Sequence, residues 1–165
     1  MKKTYTICLI TLLLLTSCSS SFESFYNRHK HDPEVTAVQL PRFVRNLLGT
    51  ISPEMNQLFN TVQDFRFISI NNTSGLQNNL IREEINAITT DRFTDILRRN
   101  TDGRQKIVSV LEDGDIVKKL LIFTSLKDKN TALYLKGNFN PLQVKKLSEG
   151  QEFDSLIQTL TTKYQ

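Results

Sequence analysis

Residues 102–123 read DGRQKIVSVLEDGDIVKKLLIF. Two β-rich runs, Gln105 to Leu111 and Ile116 to Thr124, lie on either side of Asp113-Gly114, a pair suited to a two-residue hairpin turn. Asp102-Gly103 supplies a second turn in front of them. The stretch therefore predicts two antiparallel strands in direct succession. Downstream, Lys127 to Asn130 turns the chain into a third run, Thr131 to Gly137, in which Leu133 and Leu135 alternate with Tyr134 and Lys136. Alternation of period two predicts a sheet with one covered face and one wetter face. Tyr134 and Lys136 are assigned to the wetter face and make a candidate binding surface. Gly137 marks a strand end or a close backbone approach.

Asn140-Pro141 opens a closing helical region with Leu142 and Leu147, followed by the stripe Phe153, Leu156, Ile157 and Leu160. Working back toward the start, Phe65 to Ile70 predicts a strand ended by the turn-prone Asn71 to Gly75. From Leu76 to Leu97 the apolar residues, Phe93, Ile96 and Leu97 among them, keep helical spacing. Thr89-Thr90-Asp91 is expected to divide that stretch into two helices, because Thr and Asp prefer caps to interiors. Ser52-Pro53-Glu54 reads as a helix entry, with Met55, Leu58, Phe59 and Val62 on one side. Pro41 to Gly49 predicts a short helical turn carrying Phe43, Val44, Leu47 and Leu48. Val35 to Leu40 predicts the first strand. In FESFYNRH, residues 22–29, Phe22, Phe25 and Tyr26 share one side of a helix, and packing onto the domain is the favoured use of that side over a lipid interface.

The expected fold is α+β: a single mixed, largely antiparallel sheet of about five strands, helices packed on one face, and a C-terminal three-strand meander. The order of pieces resembles the lipoprotein family of domain of unknown function 4252. The likeness is carried by FESFYNRH, by FTDIL at 93–97, by DGRQKIVSVLEDGDIVKKLLIF and by ALYLKGNF at 132–139. Phe93 stands where that family more often shows tyrosine. The resemblance implies a small exported α+β domain on a lipid anchor and brings no catalytic residues with it.

The first residues state an address. Lys2 and Lys3 precede an apolar run from Ile7 to Leu15, then Leu15-Thr16-Ser17-Cys18, the layout of a secretory signal. Nine residues at ~1.5 Å each give about 14 Å, too short for a ~30 Å hydrocarbon core. Leu15, Thr16, Ser17 and Cys18 resemble a bacterial lipobox, in which the cysteine receives acyl chains and the chain is cut just before it. At ~0.8 kcal/mol per buried methylene, two or more chains anchor stably where one does not. The expected organisation is a signal peptide at 1–17, a lipidated tether at 18–21 and one domain at 22–165. Ser19 is not the aspartate associated with inner-membrane retention in the best-known lipoprotein sorting rule. No acidic cluster follows Cys18 to suggest the cell surface. Both features point to the outer membrane, facing the periplasm. Cys8 leaves with the signal and Cys18 becomes a thioether, which excludes disulfides, thiolate metal sites and a cysteine nucleophile from the mature chain.

Charge adds exclusions. Loss of Lys2 and Lys3 lowers the formal net charge from +4 to +2, a near balance without the basic composition of a nucleic-acid binder. Arg98-Arg99, Lys118-Lys119 and Lys145-Lys146 read as solvated edges. His29-Lys30-His31-Asp32 holds both histidines and reads as a solvated loop, lacking the further converging donors a metal needs. Glu83-Glu84 are helical neighbours pointing apart, and Glu112, Asp113 and Asp115 surround a turn, where exposed acids stay ionised and donate protons poorly. Asp154-Ser155-Leu156 matches a short acceptor pattern for periplasmic O-glycosylation at Ser155. No catalytic, metal or cofactor site is assigned. The expected role is a tethered binding or adaptor domain with an envelope protein or glycan as partner. The alternative is an envelope hydrolase for glycan or peptide whose carboxylates only the fold brings together.

Overall fold

The computed structural model describes residues 20–40, 53–90 and 92–164. The elements run α1 Phe22–His29, β1 Val35–Gln39, α2 Pro53–Thr61, β2 Val62–Ile70, α3 Gly75–Thr90 and β3 Thr94–Thr101. They continue with β4 Arg104–Asp113, β5 Ile116–Ser125, β6 Asn130–Phe139, α4 Pro141–Glu149 and α5 Glu152–Tyr164. The signal peptide, Cys18 and the helical turn expected at 41–49 lie outside the described residues.

Among the described residues the sheet has six strands in the order β1-β2-β6-β5-β4-β3, and every pairing is antiparallel. The expected meander is present and longer by one strand. Thr101 pairs with Arg104 across Asp102-Gly103, both at positive φ (50° and 73°), so β3 and β4 form a tight hairpin of their own. The β4–β5 turn is Gly114-Asp115, one residue later than the expected Asp113-Gly114, between paired Asp113 and Ile116, with Gly114 at φ 59°.

Three expectations are corrected. The sheet has six strands where five were read, because residues 94–101 are a strand and not the second half of a helix. Helix α3 ends at Thr90, where the Thr89 hydroxyl bonds back to the Ile85 and Asn86 carbonyls and the Thr90 hydroxyl to that of Asn86. A register shift between Asp95 and Leu97 then breaks the period of β3. Phe93 packs against one core and Leu97 against the other, so apolar residues whose spacing reads as one side of a helix serve opposite faces of the sheet.

Second, helices cover both faces. On one, Met55, Leu58 and Phe59 of α2, Val144 and Leu147 of α4, and the α5 stripe pack against Phe67, Leu120, Ile122, Leu133 and Leu135. On the other, Phe22, Phe25 and Tyr26 of α1 and Ile81, Ile85 and Ile88 of α3 pack against Ile68, Ile107, Leu121, Phe123 and Tyr134. The unbroken run Leu120-Leu121-Ile122-Phe123 fits this arrangement, since a strand covered on both sides needs apolar residues of both parities.

Third, Tyr134 is not on an open face. It is fully buried beneath α1, and its ring stacks on Phe22 with centroids 4.9 Å apart. Burial of Phe22, Phe25 and Tyr26 bears out the expected packing of α1. In the closing helices Asn140 caps α4 through its side chain, and Leu142 is exposed while Val144 and Leu147 turn inward.

Candidate functional site

Strand register divides the molecule into two poles. At one, Val35, Ile70, Asn130, Ser125 and Gln105 follow one another across the sheet, ending at the Asp102-Gly103 turn. At the other, Leu111, Lys119, Lys136 and Asp64 are neighbours. Ser20, Ser21 and Phe22 enter the domain at this second pole, beside Lys119, Leu111 and Tyr134. Ser21 caps α1 by accepting a hydrogen bond from the Ser24 amide at 3.1 Å. From there α1 runs up the face so that His29 reaches the first pole. Helix α3 runs the opposite way, starting at the first pole with Gly75 and ending near Phe93.

The first pole holds two concavities, one on the α1–α3 face of the sheet and one that wraps the β3–β4 turn. A cleft of about 400 Å³ lies among the end of α1, the entry to β1, the exit of β2 and α3. Its apolar wall includes Val35, Ile70, Leu80 and Ile81. His29 sits at its rim between two carboxylates, with Asp32 2.8 Å from Nδ1 and Glu84 3.4 Å from Nε2. Arg28 also meets Glu84, at 3.0 Å. Glu34 and Asn72 hold positive φ (61° and 54°), and the Asn72 amide donates to the Glu34 carboxylate at 3.0 Å. The backbone here leaves its favoured region, and the clasp between β1 and β2 holds it there.

The second concavity consists of two grooves, one of about 730 Å³ on the α5 face of the sheet and one of about 540 Å³ against α3, that meet at Asp102 and Arg104 of the β3–β4 turn. Five cations line them: Arg82, Arg99, Arg104, Lys106 and Lys127. Two carboxylates, Asp102 and Asp154, oppose them, and Lys106 pairs with Asp154 at 2.7 Å. Arg82 is held by neutral groups, donating through Nε to the Ser125 hydroxyl at 2.7 Å and through its other end to the Gly103 carbonyl. Among the described residues Arg99, Arg104 and Lys127 form no ion pair. A polar network fixes this pole. The Ser125 hydroxyl donates to the Asn78 carbonyl oxygen at 2.9 Å, and the Asn78 amide donates to the Leu126 carbonyl at 2.9 Å. The first turn of α3 is thereby pinned to the β5–β6 turn.

The residues singled out in the sequence are scattered by the fold. Lys136 is exposed at the second pole, while Tyr134 is buried and its hydroxyl donates to Glu23 at 2.8 Å. Burial raises the Tyr134 hydroxyl's pKa well above the ordinary tyrosine range, and the bonded Glu23 carboxylate adds to the rise. Burial also pushes Glu23 up, but a backbone hydrogen bond, the Tyr134 hydroxyl and the charges of Lys119 and Arg66 outweigh it and hold this carboxyl below its usual range. His31 is exposed and separate from His29's carboxylate contacts. Glu112, Asp113 and Asp115 are exposed around the β4–β5 turn, far from either concavity. Ser155 is exposed on α5 and Leu156 is buried. Sequence reading missed both concavities, because they assemble residues from β1, α3, β3, β4 and the β5–β6 turn. The one local signal was the concentration of Arg and Lys around Asp102-Gly103.

Among the described residues no group of three or more His, Cys, Asp or Glu is arranged to hold a metal ion, and no helix is long and apolar enough to cross a membrane. No curated protein matches the chain significantly. The family model described as "Domain of unknown function (DUF4252)" matches residues 26–147. That span takes in all six described strands and most of the chain, and the protein belongs to the DUF4252 family.

Proposed function

We propose that this protein is a lipid-tethered binding domain of the bacterial cell envelope, anchored through acyl chains on Cys18 in the outer membrane and facing the periplasm. One observation carries the reading: the chain enters the domain at one pole, while both concavities open at the other. Between Leu111 and Gln105 a strand rises about 20 Å at ~3.4 Å per residue. With only Ser19, Ser20 and Ser21 between Cys18 and α1, an anchor at Cys18 leaves the concave pole pointing away from the bilayer. A site on the anchored pole would face lipid; these face the compartment.

Binding is favoured over hydrolysis by what the acids do. Glycoside hydrolysis needs two carboxyl groups facing each other across ~5–10 Å of open space. Asp32 and Glu84 instead converge on the two nitrogens of His29, so neither faces an open gap. The grooves present five cations against two carboxylates, a balance that suits holding a ligand's negative charge.

Intact-mass measurement of the protein purified from its native envelope tests the anchor. The expected polypeptide begins at residue 18 and carries the added mass of acyl chains. A chain with another first residue, or with no added mass, removes the tether. Hydrolysis of glycan or peptide substrates by the same sample, abolished by Glu84→Gln, would restore the enzymatic alternative.

A further inference from the structure

The adjoining grooves at the concave pole gather five cations against two carboxylates, and they share no lining residue with the histidine cleft or with the entry of α1. We infer that they bind a linear anionic glycan, a sugar chain bearing carboxylate groups. The inference deepens the proposed binding role by naming the ligand's chemistry.

Four features of the grooves select this class. The cations are spread over five positions on α3, β3, β4 and the β5–β6 turn, which suits charge repeated along a chain better than one compact anion. Arg99, Arg104 and Lys127 are exposed and without ion pairs among the described residues, so a ligand carboxylate meets them without first displacing a protein acid. Arginine forms two parallel hydrogen bonds to a carboxylate, which gives orientation as well as attraction. Between the cations lie hydroxyls and amides, Thr101, Thr124 and Asn79 among them, matched to sugar hydroxyls.

The same lining disfavours nucleic acid. Single strands are held by aromatic side chains on which bases stack, and no aromatic residue lines either groove. Leu126 offers only a small apolar surface, 43% exposed, enough for the edge of a sugar ring.

The test is calorimetric titration of the native protein, in non-ionic detergent, with hexagalacturonic acid. Maltohexaose serves as the uncharged control and a twelve-nucleotide oligothymidylate as the nucleic-acid control. Binding of the uronate alone is expected, weakening as salt screens the charges. The triple variant Arg99→Gln, Arg104→Gln, Lys127→Gln is expected to lose at least tenfold in affinity with its circular dichroism unchanged. Should the triple variant fail to fold, Arg104→Gln alone is expected to lose about threefold. No binding of the uronate, equal binding by a folded variant, or tighter binding of the oligonucleotide overturns the inference. The first-residue and mass measurement on the same sample reports separately on the tether, so one can fail without the other.

Discussion

Gly137 shows how a single atom limits substitution. A Cβ there would stand 2.5 Å from the Thr61 carbonyl oxygen and 2.8 Å from the Phe139 ring. The backbone oxygen ends α2 and cannot retreat without moving the helix. Gly137→Ala is therefore expected to cost about 1–3 kcal/mol, read as a lower urea midpoint. At Gly150 the obstructing group is the flexible end of the Glu152 carboxylate, so Gly150→Ala is expected to stay within about 0.5 kcal/mol of the parent. The sequence reading allowed Gly137 a close approach but had no way to name Thr61 as the neighbour. Tyr134 was legible as a strand residue yet misassigned to a wet face, because its hydroxyl partner lies 111 positions away. That pair predicts a pH dependence. Glu23 has a lowered pKa in the fold, so its contribution is full above the ordinary value of 4.5 and is lost as pH falls through the lower folded value. Tyr134 is raised, so its contribution is full below the ordinary value of 10.0 and declines as pH rises beyond it, where the unfolded chain ionises first. Urea midpoints across acid and alkaline pH are expected to fall less steeply at both ends in the double variant Glu23→Gln, Tyr134→Phe.

Helix α3 and strand β3 show where periodicity succeeds and where it misleads. Ile81, Ile85 and Ile88 face the core as their spacing predicts, while Leu76 and Leu80, on the same expected stripe, are 73% and 51% exposed. The reason is that α3 begins beyond the end of β2, over turns and not over the sheet. Ile85→Ala is expected to cost about 2–5 kcal/mol and Leu76→Ala no more than about 0.5 kcal/mol, measured by equilibrium unfolding. Equal costs would contradict the helix orientation. Residues 93–97 remained illegible because a bulge sends Phe93 and Leu97 to opposite cores, while apolar residues four apart read as one side of a helix. By contrast β4, β5 and β6 were readable nearly to their ends, since turn residues and β-branched runs there agree with each other. The exposed edge β3 carries Arg98 and Arg99, charges that discourage pairing with another sheet.

At the scale of the molecule, the two helical layers are held by one sheet whose inner strands are apolar on both sides. Three residues join the proposed lipid site to α1, so the domain's orientation is set by where α1 packs. Cys18→Ala is expected to move the protein from the membrane pellet to the soluble fraction without changing its unfolding midpoint, because the described cores begin at Phe22. Fractionation checks the first half and urea unfolding the second. What the sequence by itself determined is local: the existence of the hairpins, the meander and the Asn140 cap, each encoded within a few neighbouring residues. Only the tertiary structure decided that helices cover both faces, that Tyr134 is buried, and that cations from α3, β3, β4 and the β5–β6 turn gather around the β3–β4 turn. Those outcomes depend on which distant segments meet, and the chemistry of a short stretch does not contain the positions of its partners.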